Sequence, residues 1–362
     1  MQGKNLILLD LFSGIGGFSQ GLSRAGFNIT GHYYSEIDKH AIAVYKYYFK
    51  NAIYVGSVQS IYRGTMPRPN IITFGSPCQD FSLAGQRKGM AGQRSSLIAE
   101  AIRLIAEFRP DFFIWENVKG VFSSNDGEDF WAVIKAFADI GGYRLEWELC
   151  DTAWLLPQSR ERIYLIGHLA EAGRNFKQVF PIGESLALSS KECSGGGYDQ
   201  TCSTITSNLK RGVHAKGETY IRAGTLRTHK DGQGFRQVKS DDCPAIPARA
   251  RNDGSGQPVI IASRGRGENW EQQLEERTDG VTNTLTGVQK DNLLEEGSKI
   301  RRLTPIECER LQGFPDDHTK YGDYDGVIKE VSDSQRYKMI GNAVSVPIVE
   351  EIGKRLLRII NQ

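Results

Sequence analysis

A cysteine and a carboxylate, each beside an apolar run of β type, are the residues of this chain whose types suit attack on a weakly electrophilic ring. Gly75-Ser76-Pro77-Cys78-Gln79 follows the stretch Asn70-Ile71-Ile72-Thr73-Phe74, and Phe112-Phe113-Ile114-Trp115 ends in Glu116-Asn117-Val118. A thiolate adds to carbon, and a carboxylate handles charge on a ring nitrogen. Free cysteines are more often small buried hydrophobes. Here Pro77 on one side and a polar, glycine-containing loop over residues 79–92 on the other argue for exposure at a working edge. Arg160 and Arg162, in Gln158-Ser159-Arg160-Glu161-Arg162, alternate with Glu161 as on a strand with one solvated face.

The elements that must position these residues read as alternating strands and helices. Residues 6–11 form a short, almost continuous apolar run, the pattern of a strand buried on both faces of a parallel sheet. Ser13-Gly14-Ile15-Gly16-Gly17 follows, then a helix over 18–25 closed by Gly26. A second strand near 29–34 leads to Ser35-Glu36-Ile37-Asp38 and a helix over 39–49. A further helix over 97–108 carries apolar residues at helical spacing, and 163–169 read as another strand. This repetition predicts an α/β fold, doubly wound around a mostly parallel sheet, with ligands at the carboxyl ends of the strands. Glycines after the first strand let the backbone approach a ligand closely, and Glu36 is placed to take two ribose hydroxyls. The loop lacks the lysine of a triphosphate-binding turn.

The 362 residues exceed one average domain, and 39% hydrophobic with 24% charged residues is ordinary for a globular protein. A net charge of +2 does not by itself imply nucleic acid, so any basic surface must be local. The six cysteines include no C-x-x-C pair, so neither zinc nor any other metal is expected, nor a disulfide framework. The start, Met1-Gln2-Gly3-Lys4-Asn5, lacks a secretory layout and no apolar run reaches spanning length, so a reduced, soluble, cytoplasmic protein with no membrane partner is expected.

Beyond residue 181 the texture changes. Residues 189–297 are rich in Gly, Ser, Thr and charge, and Asp-Gly at 231–232 and 253–254 marks hairpin turns. Residues 210–266 hold twelve Lys/Arg against five Asp/Glu, and 268–296 hold two against eight. Such segregation fits solvated faces as well as a basic strip facing phosphates. The chain turns compact again at Thr304-Pro305-Ile306-Glu307, a capping box with proline at the first helical position. The expected division is an α/β domain over 1–185, a smaller β-rich domain over 186–325, and a segment over 326–362 that returns to the first.

Five motifs then combine: Asp10-Leu11-Phe12-Ser13-Gly14-Ile15-Gly16-Gly17, Gly75-Ser76-Pro77-Cys78-Gln79, Glu116-Asn117-Val118, Gln158-Ser159-Arg160-Glu161-Arg162 and Gly341-Asn342-Ala343-Val344. In that order they closely resemble the DNA (cytosine-5) methyltransferases of bacterial or phage restriction–modification type. The likeness covers about residues 5–170 and 300–360. It implies S-adenosylmethionine as cofactor and methyl transfer to C5 of a flipped-out cytosine in a specific double-stranded DNA sequence. By the resemblance, Cys78 adds to C6, Glu116 holds N3, and Arg162 binds O2 with Arg160 nearby. Phe12 stacks on the adenine, with Ser13, Gly14, Gly16 and Gly17 against the methionine part. Glu36 takes the ribose and Ile37 packs on the adenine, while Pro77, Asn342 and Val344 complete the pocket. Family members commonly have an acidic residue after the third strand; here Ser57 stands in Gly56-Ser57-Val58. The loop bearing Gln79, Ser82, Arg87 and Lys88 is expected to close over the extruded base. Arg227 is expected on phosphate, and Arg249 and Arg251 on base edges. A monomer is expected, with a cognate restriction endonuclease acting on the same site. A relative acting on structured RNA and a DNA-binding protein without catalysis are the competing readings.

Overall fold

The computed structural model describes residues 5–75, 97–122, 124–170, 178–183, 203–205, 259–266, 271–277, 281–287, 292–296 and 299–361. Its centre is one eight-stranded sheet. The strands are β1 (Leu6–Leu11), β2 (Ile29–Ser35), β3 (Ile53–Tyr54), β4 (Ile71–Gly75), β5 (Phe112–Val118), β6 (Tyr143–Asp151), β7 (Glu161–Leu169) and β8 (Ser203–Ile205), in the order β3-β2-β1-β4-β5-β7-β6-β8. Pairing is parallel from β3 through β5; β7 then runs antiparallel to both β5 and β6. The order reverses between β1 and β4, so the carboxyl ends of these two strands flank the crevice where such sheets bind ligands.

Both faces of the sheet are covered, as near-continuous apolar strands require. On one face Leu9, Leu11, Ile72, Phe74, Phe113, Trp115 and Leu165 pack against α3 (Leu97–Phe108) and α4 (Glu128–Asp139). Helix α3 forms over the predicted residues because Ile98, Ala101, Leu104, Ile105 and Phe108 fall on one stripe, and all five are buried. On the other face Leu6, Leu8, Ile71, Ile114 and Ile166 meet α1 (Gly17–Ala25) and the last helix, α7 (Val346–Ile360). Gly26 closes α1 at φ 96°, and Asp38 caps α2 (Lys39–Tyr48) by accepting from His40 N at 2.9 Å.

The compact return follows the capping box, with Thr304 Oγ1 accepting from Glu307 N, and opens α5 (Pro305–Gln312). Hairpin β13 (Tyr321–Tyr324) and β14 (Val327–Glu330) and helix α6 (Asp333–Asn342) follow. The division expected at 325/326 falls inside that hairpin's turn. Leu303, Cys308 and Phe314 already share a core with Ile15, Ala41 and Val44, so the chain rejoins the catalytic elements about twenty residues before the expected point. Residues 281–287 also belong there. Thr282 exchanges backbone hydrogen bonds with the 157–159 turn (Thr282 N to Pro157 O, 2.9 Å; Ser159 N to Thr282 O, 2.8 Å). Of the expected β-rich region, a four-stranded antiparallel sheet is described: β9 (Val259–Arg266), β10 (Glu271–Arg277), β11 (Asn292–Glu296) and β12 (Lys299–Arg302), ordered β10-β9-β11-β12.

Candidate active site

Glu116 lies inside β5 rather than beyond it. The antiparallel partner β7 continues past Trp115, pairing Glu116 with Tyr164 and Val118 with Arg162. Side chains two apart share a face, so Glu116 reaches diagonally to Arg162, whose Nε lies 3.2 Å from Oε1. Glu116 is 8% exposed, and burial raises its pKa against the opposing charges of Arg162 and then Arg160. On the other side lies Gly75, paired with Glu116 in parallel register. A β-carbon there would stand 3.1 Å from Glu116 Oε2, so glycine at the end of β4 makes room for the carboxylate. Gly75 leads directly into Ser76-Pro77-Cys78.

Arg160, expected beside Arg162 at the ring, is turned elsewhere. Its Nη1 donates to Gly341 O at 3.3 Å and Nη2 to Ala343 O at 2.8 Å, and Asp151 Oδ1 accepts from its backbone N–H at 2.8 Å. It holds the segment bearing Asn342 and Val344 against the sheet. At Gly341 a β-carbon would meet Gly287 N at 2.5 Å, a close approach that only glycine allows. Asn342 is the last residue of α6, and Val344 Cγ2 lies where a β-carbon on Gly17 would come within 2.6 Å.

Residues 12–17 leave β1 in a turn that needs three left-handed residues: Phe12 (φ 50°), Gly14 (53°) and Gly16 (83°). The Glu36 carboxylate accepts from Gly14 N at 2.8 Å, Ile37 N at 2.7 Å and Asp38 N at 2.9 Å, which ties this turn to the end of β2. Three features of the crevice fit an adenosine-bearing cofactor. Among the described residues a β-carbon on Gly14 would meet nothing within 4 Å and buried Ser13 Oγ has no hydrogen-bond partner, and Ile37 is 79% exposed beside Glu36. Ser35 Oγ donates to Gly56 O at 2.8 Å, bringing Ser57 to the same edge; Ser57 Oγ faces Gln59 N at 3.5 Å.

Asp10 supports this turn, and sequence reasoning gave it no role. It is fully buried and accepts from Thr73 Oγ1 at 2.8 Å, Ser19 Oγ at 2.9 Å and Tyr45 OH at 3.2 Å; burial pushes its pKa up to about 7. Its place two residues before Phe12 was the available signal. Cys150 and Cys308 are buried, and burial pushes the Cys308 thiol up to about 12, so neither is a nucleophile. Ser76, Pro77, Cys78, Gln79, Ser82, Arg87, Lys88, Arg227, Arg249 and Arg251, and both Asp-Gly turns, lie outside the described residues.

The sheet order with its antiparallel β7, and the crevice at the ends of β1, β2 and β4, define a class I methyltransferase fold. Solved neighbours share it at identities that speak for the fold alone. They include an Escherichia coli prophage-encoded putative DNA modification methyltransferase (TM-score 0.55, 22% identity, 99% of this chain and 100% of that one). Another is the S. pombe Dnmt2 methyltransferase (TM-score 0.58, 18% identity, 99% and 100%). The chain belongs to the C-5 cytosine-specific DNA methylase family, whose model matches residues 6–358, and is a DNA (cytosine-5)-methyltransferase. Similar curated proteins include the type II methyltransferases M.NlaX of Neisseria lactamica (29% identical, covering 96% of this chain and 95% of that protein) and M.HpaII of Haemophilus parainfluenzae (29%, 98% and 90%). The orphan methyltransferase M.SPRI of Bacillus phage SPR is 27% identical over 97% of both.

Proposed function

We propose that the protein methylates C5 of a flipped-out cytosine within a specific double-stranded DNA sequence, through a covalent bond between Cys78 and C6. The observation that carries this is the buried Glu116–Arg162 pair, laid against Gly75 three residues before Cys78. Thiolate addition at C6 makes C5 nucleophilic, and loss of the C5 proton afterwards expels the cysteine. Burial favours the protonated form of Glu116, which donates to N3 while charge builds during addition. Arg162 stabilises the charge at O2. A stacked duplex hides C6, so the base must leave the stack, at a cost of a few kcal/mol. Gln79, Ser82, Arg87 and Lys88 then close over it.

S-adenosylmethionine, the proposed donor, supplies an electrophilic methyl. Phe12, Ser13, Gly14, Gly16, Gly17, Glu36, Ile37, Ser57, Pro77, Asn342 and Val344 would hold it. Arg160 enters this reading as a positioning residue for Asn342 and Val344. The segment between residue 186 and the return near Leu303 reads the target, with Arg227 on phosphate and Arg249 and Arg251 on bases. The protein acts as a cytoplasmic monomer beside a restriction endonuclease with the same site. Cys78→Ser should abolish methyl transfer and leave cofactor binding intact. DNA carrying 5-fluorocytosine at the target should trap a stable adduct, because fluorine blocks the final elimination. Normal turnover by the serine variant, or no adduct where ordinary DNA is methylated, would remove the covalent route.

A further inference from the structure

We infer that His318 is a positioning residue for the cofactor turn, its imidazole N–H fixing the Ile15–Gly16 peptide from the far end of the chain. This rests on the assignment of residues 12–17 to the methyl-donor pocket. His318 Nε2 lies 2.9 Å from Ile15 O. A carbonyl only accepts, so Nε2 carries the proton. The N–H edge of the same peptide is held by Gly16 N donating to Ser13 O at 2.9 Å. Ile15 sits between two glycines at positive φ, where the backbone has alternatives that a β-carbon would remove. A bond at each edge selects one of them. The rest of the turn is tied from the N-terminal half: Ser13 N to Ser35 O at 3.1 Å and Gly14 N to Glu36 Oε2.

The donor itself is held rigidly. Its ring lies between Tyr48 and Phe314, with centroids 4.0 and 4.6 Å away, and is fully buried. Burial pushes its pKa down to about 4, so the ring is neutral with one N–H. Buried Nδ1 has no hydrogen-bond partner among the described residues, which leaves the Ile15 bond to set the ring's orientation. The next residue is anchored as well. Glu309 Oε1 accepts from Thr319 N at 2.8 Å and pairs with Arg336 Nη2 at 3.1 Å, joining α5 to α6. Phe314 also reaches the turn, at 3.4 Å from where a Gly17 β-carbon would stand.

The test uses the full chain and two variants. His318→Phe keeps the ring between Tyr48 and Phe314 but has no donor. His318→Gln keeps an N–H at similar reach without the ring. The inference expects His318→Phe to raise the Kd and KM for S-adenosylmethionine about five- to tenfold, the worth of one hydrogen bond. The KM for DNA should stay unchanged, and His318→Gln should bind within about threefold of wild type. Equal binding by wild type and His318→Phe overturns the inference, as does equal loss in both variants. Absence of binding by wild type overturns the pocket assignment itself. Should the phenylalanine variant fail to fold, histidine-15N NMR of the wild type decides. A neutral Nε2–H resonance that moves on saturation with S-adenosylmethionine supports the inference, and one that does not move overturns it.

Discussion

Replacing Gly75 by alanine should separate activity from stability. Gly75 has no positive φ, so an added methyl meets no backbone strain. Losing glycine's freedom in the unfolded chain then favours the folded state by about 0.4–1 kcal/mol. The same methyl would stand 3.1 Å from Glu116 Oε2, while Arg162 grips Oε1 from the other side at 3.2 Å. The carboxylate has to give by a few tenths of an ångström. With about a hundredfold lost per ångström of misplacement, a shift of that size lowers kcat about two- to fivefold.

Gly75→Val should extend the trend, since its branches reach further toward the carboxylate. The assay is single-turnover transfer of labelled methyl to mixed-sequence DNA, beside thermal unfolding of each variant. Combining Gly75→Ala with Glu116→Gln tests the cause, because the second change should mask most of the first if both act at one carboxylate. Unchanged turnover in both Gly75 variants would refute the reasoning. So would a loss of activity that tracks a loss of Tm.

The two arginines should part company: Arg160→Lys should raise the KM for the cofactor and lower Tm, through the carbonyls of Gly341 and Ala343, while Arg162→Lys should lower kcat with cofactor binding intact. Steady-state kinetics on both variants checks this, and identical profiles would contradict it. Tyr164→Phe should leave stability unchanged or slightly raised by urea denaturation, because the hydroxyl it removes is buried without a partner among the described residues. Asp10 is raised to about 7 from 3.8, so the stability it confers is full below about pH 4 and is lost as pH rises through 7. Asp10→Asn mimics the protonated form, so the unfolding free energy of the variant, from urea denaturation, should gain on wild type by up to a few kcal/mol between pH 4 and 8; a gap that does not change with pH would contradict the burial of that charge.

Elements whose signal is local were legible in the residues themselves. β1 and α3 form over the predicted residues, because an apolar run and a helical stripe are complete within the segment. The Thr304–Glu307 capping box is likewise a bond between residues three apart. Glu36 could be placed at the end of β2 for the same reason. What the sequence hid depends on partners far along the chain. Glu116 reads as the end of a strand until β7 arrives antiparallel and carries the pairing on to Val118. Arg160 and Arg162 are the same residue type on the same face, and nothing between them tells which meets Glu116. Carbonyls at 341 and 343 decide that by claiming Arg160. The turn after β1 follows the same rule: its glycines announce a left-handed path, but one of the bonds that hold it comes from His318, 303 residues away. The chemistry-bearing side chains are therefore set by local sequence, and their aim by distant partners: β7 for Glu116, and the returning C-terminal segment for Arg160.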